Sequence, residues 1–152
     1  MAVPSKIKIK RIPDYYTKTI GKYDQGQFMA LITATLPIPI PKNWEKQKRW
    51  YAVLHTFTAE GRHLKTEAIF AGTESDGENV FMPCARKIRD EMVTGLKNHQ
   101  FCDVEVEQFS VQIDGFTFGL VDASKPEENY ESVHLLPNDF AFFKPWDGSF
   151  DV

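Results

Sequence analysis

The chain lacks an excess of basic charge, a long apolar run, a cysteine framework and any glycosylation acceptor. Its 152 residues carry 18 Lys+Arg against 21 Asp+Glu, a formal net charge of −3. That sign excludes a wholly basic nucleic-acid binder. The two cysteines, Cys84 and Cys102, lie 18 positions apart and suggest no disulfide framework. Apolar runs such as Phe28 to Ile32 fall far short of the roughly 20 residues a membrane helix needs. The start, Met1-Ala2-Val3-Pro4-Ser5-Lys6, leads into alternating Lys and Ile without the apolar stretch of a signal peptide. No Asn-x-Ser/Thr occurs. These features predict a cytoplasmic chain with no membrane contact.

Familiar catalytic patterns are missing too. There is no G-x-G-x-x-G, G-x-S-x-G or H-E-x-x-H. Gly72-Thr73-Glu74-Ser75-Asp76-Gly77 has the glycine spacing of a phosphate loop, but Glu78 stands where a lysine must neutralise phosphate. Cys84, His99, Cys102 and His134 are possible metal ligands by type. Cys84 and His99 would sit ~22 Å apart along a helix, and His99 with Cys102 supplies too few ligands. No metal and no cofactor are expected.

Aromatic surface, by contrast, is plentiful: 12 Phe, 5 Tyr and 3 Trp in a chain that is 42% hydrophobic. A chain of this length buries roughly 70% of its unfolded surface, enough for one domain, residues 1–152, without a metal or disulfide. Phe28 to Leu36 is apolar on both faces and reads as a central strand. Pro37-Ile38-Pro39-Ile40-Pro41 ends it as a stiff loop. Trp50 to Thr58 and His63 to Ala71 form a hairpin around Gly61. Phe81, Cys84, Ala85, Ile88, Met92 and Leu96 recur at helical spacing. Pro83 belongs in a first turn, so the helix is expected over about 81–97, not from the capping-box spacing Ser75-Asp76-Gly77-Glu78. Cys102 to Ile113 alternates as one long strand, Asp114-Gly115 turns, and Phe116 to Asp122 returns. Val133 to Leu136 is a short strand before an aromatic tail. The fold class is α+β: a mostly antiparallel sheet of about six strands with one long amphipathic helix on one face.

The net charge conceals a division. Residues 1–76 hold 12 Lys+Arg and 7 Asp+Glu, while residues 77–152 hold 6 and 14. Lys6, Lys8 and Lys10 share one strand face, and Asp103, Glu105 and Glu107 share another. If the two strands are neighbours, the charges pair across them while Ile7, Ile9, Val104 and Val106 face inward. Otherwise the acids form an exposed stripe for a basic partner. The tail, with Phe142, Phe143 and Trp146, is a second candidate contact, since aromatic anchors dominate interfaces; the alternative is a segment that completes the core. His55, with Glu67 on the facing arm, could supply the polar groups of a pocket between helix and sheet. Residues 42–51 interleave lysines with Trp44, Trp50 and Tyr51, but the patch is short for a nucleic-acid site.

Thr19-Ile20-Gly21-Lys22-Tyr23, Lys48-Arg49-Trp50-Tyr51-Ala52-Val53-Leu54-His55, Phe118-Gly119-Leu120-Val121-Asp122, Leu136-Pro137-Asn138-Asp139 and Pro145-Trp146-Asp147-Gly148 span most of the chain. Together they resemble a family of small bacterial proteins, some of which carry the label formate hydrogenlyase regulatory protein. The resemblance implies a regulatory, non-catalytic role and transfers no catalytic motif. The leading expectation is therefore a cytosolic interaction protein, regulatory or of the toxin-neutralising immunity kind, binding a protein partner. The alternative is a small-molecule-binding domain or minor enzyme using His55 and Glu67.

Overall fold

The hydrophobic pattern demands cover on both sides of the central strand, and the structure supplies two different covers. The computed structural model describes residues 3–152. In chain order it contains β1 (Lys6–Ile9), β2 (Ile20–Tyr23), β3 (Gly26–Thr35), a one-turn α1 (Trp44–Gln47), β4 (Arg49–Phe57), β5 (His63–Thr73) and α2 (Glu78–Thr94). There follow β6 (Gln100–Phe101), β7 (Val104–Glu107), β8 (Phe109–Ile113), β9 (Phe116–Asp122), β10 (Val133–Leu136), β11 (Phe140–Phe142) and β12 (Phe150–Asp151). One sheet has the order β5-β4-β3-β2-β6, a second β12-β11-β10-β9-β8, and β1 with β7 forms a third. Every pairing is antiparallel.

The class is thus α+β in outline but mostly strand, and the single sheet of about six strands is corrected to three separate sheets. The expected long strand 102–113 breaks at Gln108. Its first half, β7, turns to β1, and its second half, β8, joins β9 in another sheet. The apolar positions change phase at the break, from Val104 and Val106 to Phe109, Val111 and Ile113, across the polar pair Glu107-Gln108, but the pattern does not say which sheet each half joins.

β4 shows how the layers arise. Leu54 points to one side, where it meets Phe28, Ala30 and Val93 of α2. Tyr51 and Val53 point to the other and meet Phe118 of the second sheet. A larger core joins Met29, Leu31 and Phe57 to Leu120, Leu135, Phe140 and Phe142, with Ile7, Ile9, Val104 and Val106 closing one end. The order of layers is helix, sheet, sheet.

The helix begins three residues earlier than expected and ends at Thr94 instead of near residue 97. Pro83 therefore lies inside it, where proline normally costs about 3 kcal/mol. Stacking of Phe81 on Trp50, with centroids 4.6 Å apart and planes 11° apart, fixes that first turn. The capping box falls on the preceding 3-10 turn, where Asp76 accepts from the Thr73 N–H at 2.9 Å. Gly77, at φ +91°, then redirects the chain. The turn between β8 and β9 is as expected, with Asp114 at φ +54° and Gly115 at +83°.

The matched alternation of lysines and acids does mark neighbours. Lys6 lies opposite Glu107, Ile7 opposite Val106, Lys8 opposite Glu105 and Ile9 opposite Val104. A side chain joins this small sheet to the first one. Gln27, buried within β3, donates from Nε2 to the carbonyls of Ala59 (3.1 Å) and Glu105 (2.9 Å), and its Oε1 accepts from the Glu105 N–H (2.8 Å). The amide thus stands in for a peptide group of a missing strand. Close approach also needs Gly61, whose carbonyl accepts from the Glu107 N–H at 2.8 Å. A Cβ there would lie 2.5 Å from the Glu105 carbonyl oxygen.

Candidate functional site

The lysine and acid stripes lie side by side, not apart. Among the described residues no ion pair within 4.0 Å joins them, so the side chains extend into water at facing positions. Cross-strand pairs of this kind contribute roughly 0.2–1 kcal/mol each. Asp103 is held locally, its Oδ1 accepting from the Arg11 N–H at 2.7 Å. A groove of about 390 Å³ brings Lys6, Lys8, Lys10 and Lys22 beside Glu60, Asp103 and Glu105. The surface is zwitterionic, unlike the free acidic stripe that a basic partner would want.

The aromatic tail folds inward. Phe142 is 1% exposed and belongs to the main core with Phe140. Trp146 packs against that core. Phe143 is half-buried and faces a cleft described below. As a partner surface, Phe142 is corrected to core: along β11 it shares a face with Phe140, alternating with Ala141, and that face packs into the main core.

His55 and Glu67 do not come together. Across the hairpin His55 faces Thr66, and Glu67 faces Leu54. An offset of one residue puts the two on opposite faces of the sheet. His55 lies between the two sheets, away from α2, and is 1% exposed. Its Nδ1 is 2.8 Å from Thr66 Oγ1, and His63 Nε2 is 2.8 Å from the same oxygen. The hydroxyl has one proton, so it donates to one ring and accepts from the other. Phe109 stacks on His63 at 4.3 Å and meets His55 edge-on at 4.9 Å. Burial, with a smaller contribution from His63, holds the His55 imidazole down at about 3. Both rings are therefore neutral near pH 7, in a closed relay that packs the sheets. Glu67 instead pairs in solvent with Lys65 at 2.9 Å.

A second relay runs from Ser132 Oγ to His134 Nε2 (3.3 Å) and from His134 Nδ1 to Asp139 Oδ1 (2.7 Å). The atoms match a nucleophilic triad in order. Ser132, however, is wholly buried, and no substrate reaches a covered hydroxyl. The relay ties the turn at Pro137–Asp139 to β10. Sequence reasoning passes over it because its members sit at unremarkable spacing.

A cleft of about 560 Å³ opens at the loop between β9 and β10 and is lined by Asp122, Ser124, Tyr130, Glu131, Phe143 and Lys144, among others. Hydrogen bonds from Ser124 hold the Asp122 carboxyl below its ordinary value. Cys84 is exposed on α2, and the helix stripe uses Phe81, Ala85 and Val93 instead.

The most exposed apolar surface is the loop after β3. Ile38 is 92% exposed and Ile40 65%. Trp44 is also exposed, on the single turn of α1. Pro37, Pro39 and Pro41 alternate with the isoleucines, so three backbone donors are absent and no strand pairing forms. Lys42, Glu45 and Lys46 surround this apex, all exposed. Lys48 is drawn away to Glu74 at 3.7 Å. The sequence flags this loop as stiff; the exposure of its two isoleucines is visible only in three dimensions. No helix in the described residues is long and apolar enough to cross a membrane. Against protein-family models, curated proteins and solved structures alike, the chain finds no match.

Proposed function

We propose that the chain is a non-catalytic cytoplasmic interaction protein, regulatory or of the immunity kind, that binds a protein partner through the apex at Ile38, Ile40 and Trp44. The observation that carries this reading is the exposure of two proline-braced isoleucines, Ile38 at 92% and Ile40 at 65%. The braces lower the entropy lost on binding. The apolar tip, rimmed by Lys42, Glu45 and Lys46, has the layout of an interface core with a polar rim. The regulatory role implied by the sequence resemblance points the same way. Of the acidic residues, Glu105 and Glu107 face lysines and Asp103 is held by the Arg11 N–H, so the three take a lesser part.

The test is affinity capture from the native host with the wild-type chain and with an Ile38→Asp, Ile40→Asp double variant. A partner retained by the first and lost from the second supports the reading. A partner held equally by both defeats it.

The cleft of about 560 Å³ favours a second reading, a small-molecule site moved from the helix–sheet interface to the β9–β10 loop. Its volume falls within the range of ligand pockets. A ligand that raises the melting temperature of wild type but not of Tyr130→Ala would favour this reading over the first.

A further inference from the structure

β5 is an edge strand of 11 residues, and among the described residues no strand pairs with its outer side. Along it stand three exposed apolar side chains, Leu64 (53%), Ile69 (43%) and Phe70 (42%). A long edge with apolar flanks is a template for another strand. Natural edges are usually blunted by bulges or charges. Here register shifts occur near both ends of the β4–β5 ladder, between Trp50 and Tyr51 and between Thr56 and Phe57. The run between them, from Lys65 to Phe70, pairs regularly with β4.

The charges on that run decide what fits it. Lys65 and Glu67 flank Thr66. In an antiparallel pair of identical strands centred on Thr66, Lys65 falls opposite the partner's Glu67, and Glu67 opposite the partner's Lys65. Moving the centre by one residue, to Glu67, would put two carboxylates face to face. The edge is therefore self-complementary in one register, and a two-fold axis repeats each favourable contact.

We propose that two copies of this chain pair β5 to β5 about a two-fold axis through Thr66, joining their five-stranded sheets into one. The surface is separate from the apex at Ile38, and either can exist without the other. Pairing consumes the edge on both copies, so association stops at the dimer. Ile69 and Phe70, 43% and 42% exposed in the monomer, flank the joined strands.

Charge reversal tests this directly, because Lys65 and Glu67 are exposed and their replacement spares the core. Sedimentation equilibrium of the full chain is expected to show a dimer for wild type. Lys65→Glu alone, or Glu67→Lys alone, makes both cross-strand contacts repulsive and weakens the dimer by about tenfold or more. An equimolar mixture of the two single variants restores it, because each repulsive chain is complementary to the other. The double swap Lys65→Glu, Glu67→Lys restores it as well. Circular dichroism checks that each variant keeps the wild-type spectrum. A wild type that stays monomeric at all concentrations overturns the proposal. So do single variants that dimerise as tightly as wild type, or a mixture that stays as weak as its components.

Discussion

Two apolar segments punctuated by proline meet opposite fates. Phe140 to Trp146 becomes strand and core, while Pro37 to Pro41 stands in solvent. Hydrophobicity does not separate them. Backbone donors do. The tail keeps its N–H groups through Phe140, Ala141 and Phe142, so it pairs with β10 on one side and β12 on the other. The loop has proline at every second position and offers too few donors to enter a ladder. An apolar side chain goes where its backbone can be satisfied, and the isoleucines are left outside.

The largest effect should come from breaking the buried member of this pair. Phe142→Ala is expected to cost about 3–5 kcal/mol, read as a lowered urea midpoint. A loss like that of a surface substitution would place the tail outside the core.

The next test asks whether the space behind the tail's sheet is dry. His55 titrates at about 3 when folded, against 6.5 for the free side chain. The unfolded chain therefore takes up its proton first. The contribution of the neutral ring is complete above pH 6.5 and is lost as pH falls from there toward 3, by an amount of order a few kcal/mol. His63 is lowered by burial as well and acts in the same direction. Chemical denaturation across that window should show stability falling toward acid, with a shallower slope in His55→Gln. Equal slopes would mean that the ring is hydrated.

A third variant tests the lesson about donors. Gln27 supplies by side chain what a strand would supply by backbone. Gln27→Leu keeps bulk but leaves the Glu105 N–H and two carbonyls without those partners, and should cost about 2 kcal/mol. Differential scanning calorimetry reads it, and an unchanged melting temperature would show that water substitutes freely.

Much of this was legible in the residues. Phe28 to Leu36, apolar on both faces, is a strand covered by a helix on one side and a sheet on the other. The hairpin at Gly61 and the turn at Asp114-Gly115 follow from glycine chemistry. The alternation of Lys6 to Lys10 and of Asp103 to Glu107 identified strand neighbours far apart in the chain. What escaped depends on three-dimensional context. The change of phase at Gln108 marks a break, but which sheet each half joins is not in the pattern. The helix start differs because Pro83 suggests a first turn, whereas α2 carries it inside, with Phe81 stacked on Trp50 from a distant strand. His55 and Glu67 were paired by chain proximity, and one step of register separated them.

The smallest expected effect on stability bears on the exposed member of the comparison and tests the central claim. The Ile38→Asp, Ile40→Asp variant should unfold within about 0.5 kcal/mol of wild type, because neither side chain is packed. Measured side by side, its urea midpoint should match wild type while its retention of the host partner is lost. A stable variant that still holds the partner would contradict the account.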